Sequence, residues 1–182
     1  MNDSMIALSI RRQNVIHPVS TAEPTVSRWL GAIQDARARS LECIDGIGPP
    51  ALDWVRDDEN TIGSLLYHIA AIEVDWLYVE VLEQPFPKEI SERFPHDVRE
   101  ADGRLTHIEG LSLAEHLDRL VFVRELLVDA FEQITLADFH RARRLPDYNV
   151  TPEWVLHHLM QHEAEHRGQI GLMHVAAERA FS

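Results

Sequence analysis

Apolar residues recur along this chain at intervals of three and four in four separate stretches, the spacing that lines one face of a helix. The first predicted helix opens between Ser20 and Pro24, where Ser-Thr-Ala-Glu offers a capping box. It carries Trp29, Leu30, Ile33, Leu41 and Ile44 before Gly46, Gly48, Pro49 and Pro50 end it. The second starts at Asn60 or Thr61 and carries Ile62, Leu65, Leu66, Ile69, Ile72, Trp76 and Leu77 to Glu83, with Pro85 and Pro87 as its stop. The third is announced by Ser112 and Glu115, a second capping box, and its predicted buried stripe is Leu113, Leu117, Leu120, Val121, Phe131 and Ile134. The fourth opens at Thr151 with Pro152 at its first helical position. No alternating strand pattern competes with these.

The expected fold is therefore all-α: an antiparallel four-helix bundle with a long crossover loop, residues 84–110, between helices 2 and 3. Residues 1–20 lack helical periodicity and read as an N-terminal arm, extended on the surface or on a partner, ahead of one domain over residues 21–182.

The polar positions inside the fourth helix carry the candidate chemistry. With Val155 at zero and about 100° per residue, Leu159 falls at about 40°, Ile170 at about 60° and Met173 at about 0°. On the same wheel His162 falls at about 340° and His166 at about 20°, inside the apolar stripe and one turn apart. Buried imidazoles need partners. On this pattern alone the pair is either two satisfied core histidines or two ligands of a transition metal, for which neutral imidazole is suited. Two ligands hold a metal poorly, and the histidine of the second helix is His68, at the edge of that helix's buried face. His158, one turn before His162, reads as packing or as a support behind the ligands. Glu163 borders the stripe, either orienting an imidazole or making a contact between helices. Glu73 falls inside the stripe of the second helix and needs a partner such as an Arg. Cys43, Trp29 and Trp76 read as packing residues, and Gly168 and Gly171 as points where another helix or chain comes close.

His162-Glu163-Ala164-Glu165-His166 also spells the zinc-protease helix H-E-x-x-H. Gln169 and Leu172 stand where the metzincin form of that motif needs Gly and His, and no strand is available to bind an extended peptide, so the protease reading is set aside.

Composition narrows the partners. Seventeen basic against thirty acidic residues give a formal net charge of −13, which disfavours nucleic acid and anionic membrane surfaces. A single cysteine, no leader-like start and no uninterrupted apolar span are the basis for expecting a cytoplasmic protein.

Leu65-Leu66-Tyr67-His68-Ile69-Ala70-Ala71-Ile72-Glu73, followed by Trp76, and the segment from His158 to Ile170 together resemble the two signature helices of the DinB-like superfamily. The resemblance runs from residue 22 to 180. It implies a four-helix bundle holding a divalent transition metal through His68, His162 and His166, with zinc, nickel, iron and manganese all admissible. Three ligands with open positions suit a catalytic metal. Relatives include S-transferases and isomerases using bacillithiol, mycothiol or glutathione, so the resemblance implies a metal-dependent enzyme activating a small thiol or water against a small-molecule substrate. It also implies a homodimer. The competing expectation is a non-enzymatic metal-binding or dimeric interaction module with a regulatory or vestigial site.

Overall fold

Hydroxyl side chains set where the helices begin. The computed structural model describes residues 14–55 and 60–181, and within them Thr61, Ser112, Thr135 and Thr151 each accept a hydrogen bond from a backbone N–H of the first turn that follows. The helices are α1 (Pro24–Ile44), α2 (Pro49–Leu52), α3 (Ile62–Trp76), α4 (Lys88–Arg93), α5 (Leu113–Glu132), α6 (Leu136–Phe139) and α7 (Pro152–Phe181). α3 continues into a π-helical turn, Leu77–Val81. Ser112 and Glu115 form the reciprocal capping box. The Ser20–Glu23 box does not form: Glu23 is itself the N-cap, without a side-chain bond, because Pro24 takes the first helical position. The fold is all-α apart from a short antiparallel hairpin, β1 (Arg143–Arg144) paired with β2 (Asn149–Val150). The first thirteen residues of the expected arm and the acidic residues Asp57, Asp58 and Glu59 lie outside the described residues.

α1 packs on α7, and α3 on both α5 and α7. Two apolar clusters fill the interior, one around Leu65, Leu66, Ile69, Leu120, Val123 and Ile170, the other around Leu30, Ile33, Leu77, Leu127, Phe131 and Leu159. Along α3 and α5 the chain passes from the first cluster to the second, and along α1 and α7 from the second to the first. α3 and α5 therefore run in the same sense. A connection between them must return along a body about 30 Å long, the rise of twenty helical residues, which is why it is long.

That connection packs down rather than looping free. Tyr67 of α3 donates its hydroxyl hydrogen to the His96 carbonyl and accepts from the His96 N–H, while Ile90, Leu105 and Ile108 are buried. The densest basic run of the chain is Arg141, Arg143 and Arg144. Arg143 is 2 % exposed, and its guanidinium donates to the Val81 carbonyl that ends the π turn and to the Asp138 carboxylate.

Two details of the buried faces differ from the expected pattern. Val121 is 49 % exposed, and α5 instead buries His116, Leu120, Val123, Arg124, Leu127 and Phe131, so two polar residues occupy the stripe. The segment Ile62–Val81 has the length and apolarity of a membrane span although Glu73, Asp75 and Glu80 interrupt it, and it is mostly buried among the other helices.

A candidate metal centre between α3 and α7

α3 is buried on nearly every side, by α5, α7 and the connection that follows it, so His68 is 3 % exposed despite its place at the edge of the apolar stripe. It meets the α7 pair directly. His162 Nε2 lies 3.0 Å from His68 Nε2 and 3.0 Å from His166 Nε2. One ligand atom from each ring falls within 4.8 Å of the other two.

The electrostatics keep His68 and His162 neutral. Burial, reinforced by the neighbouring His166 and His68, pushes His162 down to about 3. Burial, with His166 and Arg99 adding to it, pushes His68 down to about 4. Both carry a lone pair at neutral pH. His166 Nδ1 lies 2.9 Å from Gln169 Oε1, an amide acceptor, so its proton belongs on Nδ1 and the Nε2 lone pair faces the other two rings. A single Nε2–H on His162 can satisfy only one of its two contacts. His68 Nδ1 is buried and makes no well-formed hydrogen bond among the described residues, the Val98 backbone being its polar neighbour.

Three convergent nitrogens with too few protons among them fit a cation. Ligands about 2.1 Å from an ion lie about 3.0–3.4 Å apart, the separation found for two of the three pairs. The donor set suits a divalent transition metal.

The other expected residues do different work. His158 does not join the group. Its ring stacks on Trp154 at 5.0 Å and 8° and packs on Trp76 at 4.4 Å, while its centroid stays 6.0 Å from that of His162. Burial lowers its pKa. Glu163 and Glu73 turn away from the imidazoles and meet two arginines absent from the sequence-based site. Arg37 Nε donates to Glu163 and its Nη2 to Glu73, both at 2.6 Å. Arg124 Nε donates to Glu73 at 2.6 Å, and its Nη2 to both carboxylates at 3.0 Å.

Each of α1, α3, α5 and α7 thus contributes one charge to a buried, net-neutral quartet. Burial alone would raise the Glu73 pKa, but Arg124 and Arg37 outweigh it and hold the carboxyl below its usual range. Likewise burial would lower the Arg124 pKa, and the two carboxylates raise it. Glu163 follows His162 directly and Glu73 lies five residues past His68, so the quartet locks α3 to α7 next to the three histidines.

A cavity of about 440 Å³ opens beside the centre, lined by Asn60, Leu65, Arg99, Arg104, Gln169 and Met173 among others. Gln169 belongs to both the cavity and the histidine group. Arg99, whose charge is felt at His68 and His162, brings a positive wall to a strongly acidic chain. Of the remaining residues singled out, Trp29 and Trp76 pack partly buried against the second apolar cluster, Trp76 also walling a pocket, and Cys43 packs half-buried against Gly171. Among the described residues, none comes within 4 Å of a Cβ placed at Gly168.

Among sequence families, the model of the DinB superfamily matches residues 32–170, a span that takes in all three histidines and the whole charge quartet. No curated protein matches the chain.

Proposed function

Because the chain belongs to the DinB superfamily, we propose that it is a metal-dependent enzyme whose ion is held by His68, His162 and His166 and which activates a low-molecular-weight thiol, or water, against an electrophilic small molecule. The observation carrying this reading is the convergence of three Nε2 atoms from α3 and α7, two of them on rings kept neutral by burial. A divalent metal bound there lowers the pKa of a thiol or water and presents it as a nucleophile.

The chain's own residues do the rest. Gln169 fixes the His166 tautomer, and the quartet holds α3 and α7 in register. Arg99 and Arg104 line the adjoining cavity, where they favour a thiolate or the acidic groups of a substrate. We read the four long helices as a four-helix bundle with residues 82–112 as its crossover. We also propose a cytoplasmic homodimer, for which exposed Leu172 and Val175 on α7 supply an apolar face.

The test is conjugation of a chromogenic electrophile by metal-loaded protein with bacillithiol, mycothiol or glutathione in turn. The reading expects turnover with one of them and its loss in His162→Ala. Absence of turnover with every thiol, and of hydrolysis, favours the non-enzymatic module instead.

A further inference from the structure

We propose that the pocket walled by Trp76, Tyr148 and Trp154 is a second binding site, separate from the three-histidine centre, and that it takes a small organic cation of the alkylammonium class. The pocket encloses about 690 Å³, and Val150, Thr151 and Asn149 complete most of its wall. That is within the usual size of small-molecule sites, about 300–1,000 Å³. None of His68, His162 or His166 lines it.

The aromatic rings are offered rather than packed away. Trp154 is 47 % exposed and Tyr148 44 % exposed. Trp76 stands between them, 5.5 Å from Trp154 and 6.3 Å from Tyr148, tilted by 36° and 34°. From behind, His158 stacks on Trp154 and packs on Trp76, which holds both indoles in place. Three adjacent aromatic rings, each with a negative quadrupole on its faces, line one volume.

Charge complementarity selects the occupant. The Tyr148 hydroxyl donates to Glu80 Oε1 at 2.6 Å, and this bond to an acceptor makes the phenol ring more electron-rich. Glu80 is 4 % exposed, and its second oxygen is buried without a hydrogen-bond partner. Asp75 lies close enough for its charge to be felt at both Glu80 and Tyr148. Among the described residues no arginine, lysine or histidine forms an ion pair with Asp75 or Glu80, and burial raises the pKa of both. Of the arginines nearby in sequence, Arg141 pairs with Glu83 and Arg143 with Asp138, while Arg144, exposed on β1 opposite Asn149, forms no ion pair with Asp75 or Glu80 among the described residues. Two carboxyl groups that no side-chain cation balances therefore stand beside Tyr148, Glu80 through the hydrogen bond from its hydroxyl and Asp75 through space. A cation over the rings gains from the quadrupoles and from those carboxylates together, a neutral guest gains only apolar contact, and an anion is repelled. The formal net charge of −13 acts in the same direction at longer range.

Quenching of tryptophan fluorescence in the full-length chain, titrated with choline and separately with the neutral alcohol in which carbon replaces the choline nitrogen, separates these cases. The two probes have the same shape and differ in charge. The proposal expects saturable choline binding roughly tenfold tighter than that of the neutral alcohol. It expects that preference to fall several-fold in Trp154→Leu, which leaves Trp76, Tyr148 and the carboxyl groups in place, and to fall less in Trp154→Phe, which keeps a smaller π face. Equal affinity for both probes in the unaltered chain makes the pocket merely apolar and overturns the proposal. So does a choline preference unchanged in Trp154→Leu, which assigns it to the acidic surface, and so does the absence of saturable binding by either probe.

Discussion

Removing Arg124 should expose how much of this fold depends on its buried charges. In Arg124→Met the side chain keeps its bulk but Glu73 loses both bonds from Arg124, Glu163 loses one, and the Ile33 carbonyl loses its donor. Two carboxylates, each 2 % exposed, are then left with Arg37 alone. Breaking a buried pair and leaving a charge uncompensated costs about 3–5 kcal/mol, a fifth or more of the total stability of a typical domain.

Urea unfolding at pH 7 measures that loss directly. The double variant Glu73→Leu/Arg124→Met restores charge balance and should lose less than the two single variants added together. The pH dependence carries an independent sign. With its folded pKa below the ordinary 4.5, Glu73 contributes stability that is present above about 4.5 and is lost as pH falls through the lower folded value. In Arg124→Met, burial is less opposed, so Glu73 takes up its proton more readily, and the deficit of the variant relative to the unaltered protein should shrink between pH 7 and pH 5. A loss below about 1 kcal/mol, additive with that of Glu73→Leu, would refute a cooperative quartet.

Other perturbations probe separate parts of the account. Gln169→Leu removes the acceptor that orients His166 and should weaken metal affinity by about 10–100-fold with little change in the unfolding midpoint; chelator competition measures it. His116 is 1 % exposed with both ring nitrogens unpartnered, and burial pushes it down to about 4, so the unfolded chain takes up its proton first and stability falls from pH 6.5 toward pH 4. His116→Met should flatten that decline and hold or raise stability at pH 7 by about 1 kcal/mol in urea unfolding, whereas a clear loss would mean the ring is satisfied by ordered water. Gly31→Ala places a methyl group against the His17 carbonyl oxygen, so residues 16 and 17 must move off α1, at about 1–3 kcal/mol in the same assay.

What could be read from the sequence divides along a physical line. Where side chains announce their own environment, the reading succeeds: Ser112 with Glu115 and Thr151 with Pro152 follow from local rules about caps. The one-turn spacing of His162 and His166 brings their rings together, but both are only partly buried, and Glu163 between them takes the buried face. Where a polar residue is buried by partners distant in sequence, periodicity misleads. Arg37 and Arg124 look like surface residues until Glu73 and Glu163 are brought against them, and choosing Val121 over Arg124 turned the predicted face of α5. Glu73 was recognisable as needing an arginine, because its place in an apolar stripe is costly alone. The aromatic pocket joins Trp76, Tyr148 and Trp154, which only the packing of α3 against the β1–β2 hairpin and the start of α7 makes neighbours. Gln169 carried a usable signal, since it lies three residues after His166, within reach on one helix face.

The central claim, that His68, His162 and His166 hold one ion, is tested most directly by elemental analysis of protein purified without a metal-affinity step, alongside His68→Ala and His162→Ala. The account predicts close to one transition-metal ion per chain in the unaltered protein and its loss in both variants, with their helical circular dichroism retained. Metal-free protein, or metal content unchanged in His162→Ala, would contradict it.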